Sequence, residues 1–163
     1  MLDFKDIIVD KLSKLKLTLA TAESVTGGTI ASTLVGAAGA SNVFKGGVVA
    51  YSKEAKVRLL NVRETTISKY GIISAQVAKE MAIGAIKNLN VDIGIGVTGV
   101  AGPDMVDAHP VGLVYFCIIM IDKAYEYEAR FKDEGRNKNR IAITSKILEE
   151  LLKIIVKLTK SDE

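Results

Sequence analysis

Apolar residues recur at steps of three and four through the first fifteen positions, with Phe4, Ile7, Ile8, Leu12 and Leu15 on one side. That spacing predicts an amphipathic helix over 3–15. An apolar strand at 17–22 follows, then a run of small residues, Thr29 to Ala38, that reads as a helix over about 27–38. The segment 46–52 reads as strand, 53–60 as a short helix, and 65–70 as a helical turn closed by Gly71. Ser74 takes the place of an N-cap before a long helix at 75–89. Its apolar positions Val77, Ala78, Met81, Ala82, Ala85, Ile86 and Leu89 cover a wide face, so the helix should be well buried. Val91 to Val97 is short and continuously apolar, the pattern of a central strand covered on both sides. Two further strands, 111–120 and 124–132, flank Ile121-Asp122-Lys123, a hairpin spacing that makes the sheet mixed. A last helix at 136–159 carries Ile141, Thr144, Leu148, Leu151, Ile155 and Leu158 at alternating steps of three and four. Strands interleaved with helices predict a single layered α/β domain over 1–163, its mixed sheet covered by helices.

Composition narrows the classes of function. The chain of 163 residues is 48% apolar and 25% charged, a globular balance for one domain. Its net charge of +3 is mild, and basic and acidic residues are interspersed. No stripe suited to nucleic acid stands out, whereas a small anionic ligand is compatible. The single cysteine, Cys117, lies in the apolar run Val114 to Ile119 and reads as a core thiol, which excludes an internal disulfide and agrees with a reducing compartment. The N-terminus alternates charged and aliphatic residues, unlike a secretory signal, and no apolar run is long enough to span a bilayer. The expectation is a soluble cytoplasmic domain that engages neither nucleic acid nor membrane.

Three loops carry the chemistry. Ala22-Glu23-Ser24-Val25-Thr26-Gly27-Gly28 joins the first strand to a helix, Tyr51 to Lys56 joins the second strand to the next, and Thr98-Gly99-Val100-Ala101-Gly102-Pro103 follows the third. Ligands in open α/β sheets sit at such carboxyl ends. The Gly27-Gly28 turn predicts exposed N–H groups at a helix start, an anion or oxyanion site with the Ser24 and Thr26 hydroxyls at its lip. The same residues also serve as simple helix caps, so the segment alone leaves both readings open.

Elimination narrows the mechanism. His109, before Pro110, reads as loop filler, and Asp104, Asp107 and His109 lack metal-ligand spacing. What remains is Ser24 as nucleophile with a lysine as base. Lys56 is a candidate because Lys53 and Arg58 flank it and like charges disfavour its protonated form, with Tyr51 near enough to pass a proton or orient the amine. The alternative is a solvated helix lysine paired with Glu54. Arg136 and Arg140, one turn apart, suit a phosphate, or else form a basic surface turn.

Ala22-Glu23-Ser24-x-Thr26-Gly27-Gly28, Tyr51-Ser52-x-Glu54-Ala55-Lys56, Gly99-x-Ala101-Gly102-Pro103 and Pro110-Val111-Gly112, in this order and roughly this spacing, resemble the CinA C-terminal domain family over nearly the whole chain. The family includes nicotinamide-nucleotide amidases, which convert nicotinamide mononucleotide to nicotinic acid mononucleotide and ammonia. The resemblance implies Ser24 as nucleophile, Lys56 as base and Tyr51 assisting. It puts Thr26, Gly27, Gly28, Thr98, Gly99 and Gly102 in ligand-binding loops, with Arg136 and Arg140 matching a late arginine pattern. It implies a layered α/β fold and a free-standing form of a domain otherwise fused behind a molybdopterin-binding-like one, and the Ser24–Lys56 mechanism requires no metal or organic cofactor.

The chain departs from the family pattern at several points. Val25 replaces a Cys, Lys53 an Asn, Asp104 to His109 lacks the usual Gly-Gly and the Lys before Pro, and Gly135-Arg136 lacks the intervening Asp. The reading is an amidohydrolase acting on a small anionic nucleotide, with a homo-oligomer, a dimer by base rate, as the expected assembly. The rival is a non-catalytic nucleotide-binding module using the same loops. A third reading, a partner in DNA uptake or repair, rests on the family's historical name alone.

Overall fold

The computed structural model describes residues 3–161. Helix α1 (Phe4–Leu15) is capped by the Asp3 side chain and ends at Lys16, whose left-handed backbone (φ 56°) turns the chain back so that the Leu17 N–H donates to Leu12 O. That cap takes Leu17 out of the first strand, so β1 (Leu19–Glu23) starts two residues later than the hydropathy pattern suggests. It also runs one residue further, through Glu23. Helix α2 (Thr29–Val35) is shorter than expected, because the chain turns at Gly36 and passes through a single 3-10 turn, Ala40–Asn42, that the pattern of small residues does not reveal.

Strand β2 (Phe44–Val49) leads into α3 (Lys53–Leu60), α4 (Glu64–Tyr70) and α5 (Ala75–Leu89). Strands β3 (Ile93–Gly99), β4 (Leu113–Met120) and β5 (Lys123–Arg130) follow, and α6 (Arg136–Ser161) closes the described chain. The expected hairpin is present, with Ile121 and Asp122 between the paired ends Met120 and Lys123. No helix among the described residues is long and apolar enough to cross a membrane.

The five strands lie in the order β2-β1-β3-β4-β5. The first three are parallel and the last two antiparallel, which makes the sheet mixed, as the hairpin spacing requires. Helices α1, α2 and α6 cover one face and α3, α4 and α5 the other, so β1 and β3 are buried on both sides. Helix α5 comes unusually close to β3. A Cβ on Gly96 would lie 2.1 Å from Ala78 O, and one on Gly94 2.5 Å from Ala82 O. The glycines of the strand and the alanines of the helix are therefore one packing device, and a single added methyl would separate the layers.

The connection after β1 leads outward to β2, and β3 returns on β1's other side. The carboxyl ends of β1 and β3 consequently diverge at a switch in strand order. A crevice opens there between the loops that follow them.

Candidate active site

A cleft of about 380 Å³ occupies that crevice, and Ser24, Tyr51, Lys56, Thr98, Gly99, Gly102 and Arg136 all line it. Ser24 is the first residue after β1, held by its own N–H donating to Val97 O of the neighbouring strand at 3.2 Å. Lys56 comes from the first turn of α3, whose N-terminus is fixed by Ser52 Oγ accepting from the Ala55 N–H at 3.0 Å. One turn apart on α3, Lys56 and Leu60 both point into the protein. Lys56 is 1% exposed, the largest of the fully buried side chains.

The buried amine donates to Ser24 Oγ at 2.9 Å and to Ala50 O at 2.8 Å. No carboxylate forms an ion pair with it among the described residues. Glu54, the partner that a solvated lysine would use, does not contact it. Burial without a counter-charge disfavours the ammonium and pulls the Lys56 pKa down to about 8. The flanking cations Lys53 and Arg58, offered by the sequence as the cause, are not: desolvation is. An amine neutral in about a tenth of molecules at pH 7 can accept the proton of the hydroxyl beside it.

Glu23 is the residue that sequence reasoning left without a role. Its carboxylate is 1% exposed and accepts four hydrogen bonds: from the Thr26 hydroxyl at 2.7 Å, the Thr21 hydroxyl at 3.3 Å, and the Ile30 and Ala31 N–H groups at 2.8 and 3.0 Å. The expected anion site at the start of α2 is thus filled from inside the protein. An acidic residue seven positions before the helix donors it caps has no signature in a linear pattern.

That network relocates several expected ligand residues. Thr26 is fully buried, its hydroxyl committed to Glu23, so it does not stand at the lip of the cleft. Gly27 and Gly28 adopt left-handed backbone (φ 61° and 99°) to turn the chain, and neither lines the cleft. Arg140 lies against this turn, donating to Thr26 O at 2.9 Å, and it too is outside the cleft. Val25 remains in the cleft wall, and its N–H has no acceptor among the described residues.

Arg136, by contrast, reaches the mouth. Its guanidinium donates to Gly102 O on one wall and to the Tyr51 hydroxyl, at 2.6 Å, on the other. Tyr51 is 62% exposed, and its oxygen bonds to Arg136 rather than to Ser24 or Lys56. Thr98 commits its hydroxyl to Ile72 O at 3.1 Å, so it contributes wall rather than a free donor. A second unanticipated residue, Asn139, is 1% exposed and ties the cleft loop to the start of α6. Its amide donates to Ala101 O at 2.9 Å and to Asp133 Oδ1 at 3.0 Å, and its oxygen accepts from the Glu134 N–H at 2.9 Å. Among the described residues, no three acidic, histidine or cysteine side chains gather as a metal would need.

The family model described as the CinA C-terminal domain matches residues 2–155. The chain is 44% identical over 155 residues to Protein MG115 of Mycoplasma genitalium, spanning 95% of this chain and 99% of that one. It is 43% identical over 141 residues to a CinA-like protein of Kosmotoga olearia, covering 85% of this chain but only 34% of that longer protein. Among solved structures it is similar to the competence/damage inducible protein CihA of Agrobacterium tumefaciens, with a TM-score of 0.88, 36% identity and 92% of each chain covered. It is also similar to a competence-damaged protein (CinA) superfamily member from Escherichia coli, with a TM-score of 0.90, 30% identity, and 93% and 88% covered.

Proposed function

The chain belongs to the CinA C-terminal domain family, and from that premise we propose that it hydrolyses the carboxamide of nicotinamide mononucleotide to nicotinic acid mononucleotide and ammonia. One observation carries the reading: a lysine amine, buried and without a counter-charge, 2.9 Å from the Ser24 hydroxyl at the floor of an open cleft. Keeping an ammonium there costs free energy, and a structural lysine would ordinarily be paired or would reach solvent.

In the proposed reaction, Ser24 Oγ attacks the carboxamide carbon as Lys56 Nζ takes its proton. The Val25 N–H, in the cleft wall and without an acceptor among the described residues, is the backbone donor assigned to the developing oxyanion. The lysine then returns the proton to the departing nitrogen, releasing ammonia. Lys56 then takes a proton from water as its oxygen attacks the acyl-serine, and gives that proton to Ser24 Oγ as the acyl C–O bond breaks, which frees the nicotinic acid product and regenerates both residues. Arg136 at the mouth is the cation positioned for the nucleotide phosphate.

The test is to incubate the purified protein with nicotinamide mononucleotide and measure ammonia and nicotinic acid mononucleotide together. Equimolar appearance of both, lost in Ser24→Ala and in Lys56→Ala, is the expected result. Tight binding of the nucleotide without turnover would instead identify a non-catalytic binding module.

A further inference from the structure

The cleft carries one feature that nucleophile, base and Arg136 leave unused. Between Pro103 and Pro110 the chain forms a small hairpin: the Val106 N–H donates to His109 O at 3.2 Å and the His109 N–H to Val106 O at 2.8 Å. The two residues at its tip, Asp107 and Ala108, both have left-handed backbone (φ 46° and 63°), the geometry of a tight two-residue turn. Its base is fastened by the Val100 N–H to Leu113 O at 2.9 Å and the Gly112 N–H to Val100 O at 2.8 Å. A loop bonded at tip and base holds its side chains in place. Those it brings to the cleft are Asp104, Met105 and Val106, within the stretch 104–109 that lacks the Gly-Gly frequent in the family it resembles.

Asp104 is exposed at the mouth, and among the described residues its carboxylate has neither a hydrogen-bond donor nor a basic partner. Among the described residues it is the only acidic side chain lining the cleft, as Arg136 is the only cation there besides the buried Lys56. Opposite charges lining one cleft complement a ligand that is itself a zwitterion.

We propose that Asp104 is a specificity-determining residue that selects ligands bearing a positively charged ring between the carboxamide and the anionic group. The inference rests on the amidase reading of the cleft. A pyridinium ribonucleotide has that charge pattern, cation at the ring and anion at the phosphate. Its reduced, dihydropyridine counterpart keeps the carboxamide, sugar and phosphate but has a neutral ring. Asp104 therefore favours the oxidised form, and because the carboxylate is exposed the preference is modest and weakens with salt.

The experiment measures binding of oxidised and reduced nicotinamide mononucleotide by calorimetry at low and high salt, in a Ser24→Ala background that prevents turnover. Roughly two- to fivefold tighter binding of the oxidised form is expected at low salt. Asp104→Asn should abolish that preference and Asp104→Lys reverse it. A preference that survives in Asp104→Asn, or none in the parent, overturns the inference while leaving the amidase reading intact. Failure of the parent to bind either nucleotide, with no ammonia released by the unmodified protein, overturns the amidase reading and the inference with it.

Discussion

Arg136 and Tyr51, 85 positions apart, meet across the mouth of the cleft, the guanidinium donating to the phenol oxygen at 2.6 Å. The bond ties the start of α6 to the β2–α3 junction and holds the guanidinium at the entrance. It also separates two roles for Tyr51. A tyrosine that relays protons must reach Ser24 or Lys56, whereas one that buttresses an arginine need not. Tyr51→Phe should therefore raise KM for nicotinamide mononucleotide a few-fold and leave kcat within about twofold, since one rim hydrogen bond is lost. A collapse of kcat at unchanged KM would instead support the proton-relay role that the sequence offers for Tyr51.

The two arginines, alike in sequence, should behave differently. Arg136→Ala removes a charged contact at the mouth and should raise KM for the nucleotide roughly ten- to hundredfold, with little effect on any slow hydrolysis of free nicotinamide. Arg140→Ala removes the donor to Thr26 O and should act on the folded state instead, lowering stability by about 1 kcal/mol with KM nearly unchanged. Steady-state kinetics on both amides, paired with urea unfolding, checks the division. Equal KM effects from the two would mean that the phosphate reaches past the mouth to the α2 turn.

How far these roles were legible in the chain depends on how far each needs the third dimension. The element order and the mixed sheet follow from hydrophobic period and turn residues, which are local signals; those signals leave Lys56 open as a solvated lysine, and only the family resemblance implies its pairing with Ser24. The hydropathy pattern starts β1 two residues early because Lys16, not a glycine, adopts the left-handed cap that consumes Leu17. Arg136 and Arg140 share a helix face, but the cleft wall ends between them, and sequence spacing cannot show where a wall ends. Glu23 and Asn139 were invisible for a related reason. Each is defined by bonds to backbone groups of other segments, which any residue type could have supplied, so nothing in the partners' identities points back to them.

Turnover should follow the titration of the buried amine. With Lys56 held near pH 8 by burial, kcat/KM should rise about eightfold between pH 6.5 and 7.5 and level off above about pH 9. The profile is measured by ammonia release, with the fold checked by circular dichroism at each pH. A midpoint near the ordinary lysine value, above 10, would mean that the amine is solvated during catalysis and that burial does not activate it.

The same titration has a consequence for stability that needs no substrate. In the unfolded chain Lys56 titrates at its ordinary value of 10.5, and in the folded protein at about 8. Between those values the unfolded state binds more protons, so stability contributed by this group rises with pH across that window. Below about pH 8 the cost of burying the ammonium, about 3 kcal/mol, is present in full. Lys56→Met keeps the length of the buried stem but carries no proton, so it escapes this cost while giving up the bonds to Ser24 Oγ and Ala50 O. The difference between the two proteins at one pH mixes both effects, but its change with pH isolates the first. From pH 7 to pH 9.5 the unmodified protein should gain about 2 kcal/mol relative to Lys56→Met, read from urea midpoints at constant m. A difference that stays flat across this range would show that the amine is not desolvated in the folded state, and the activated-lysine mechanism would fall with it.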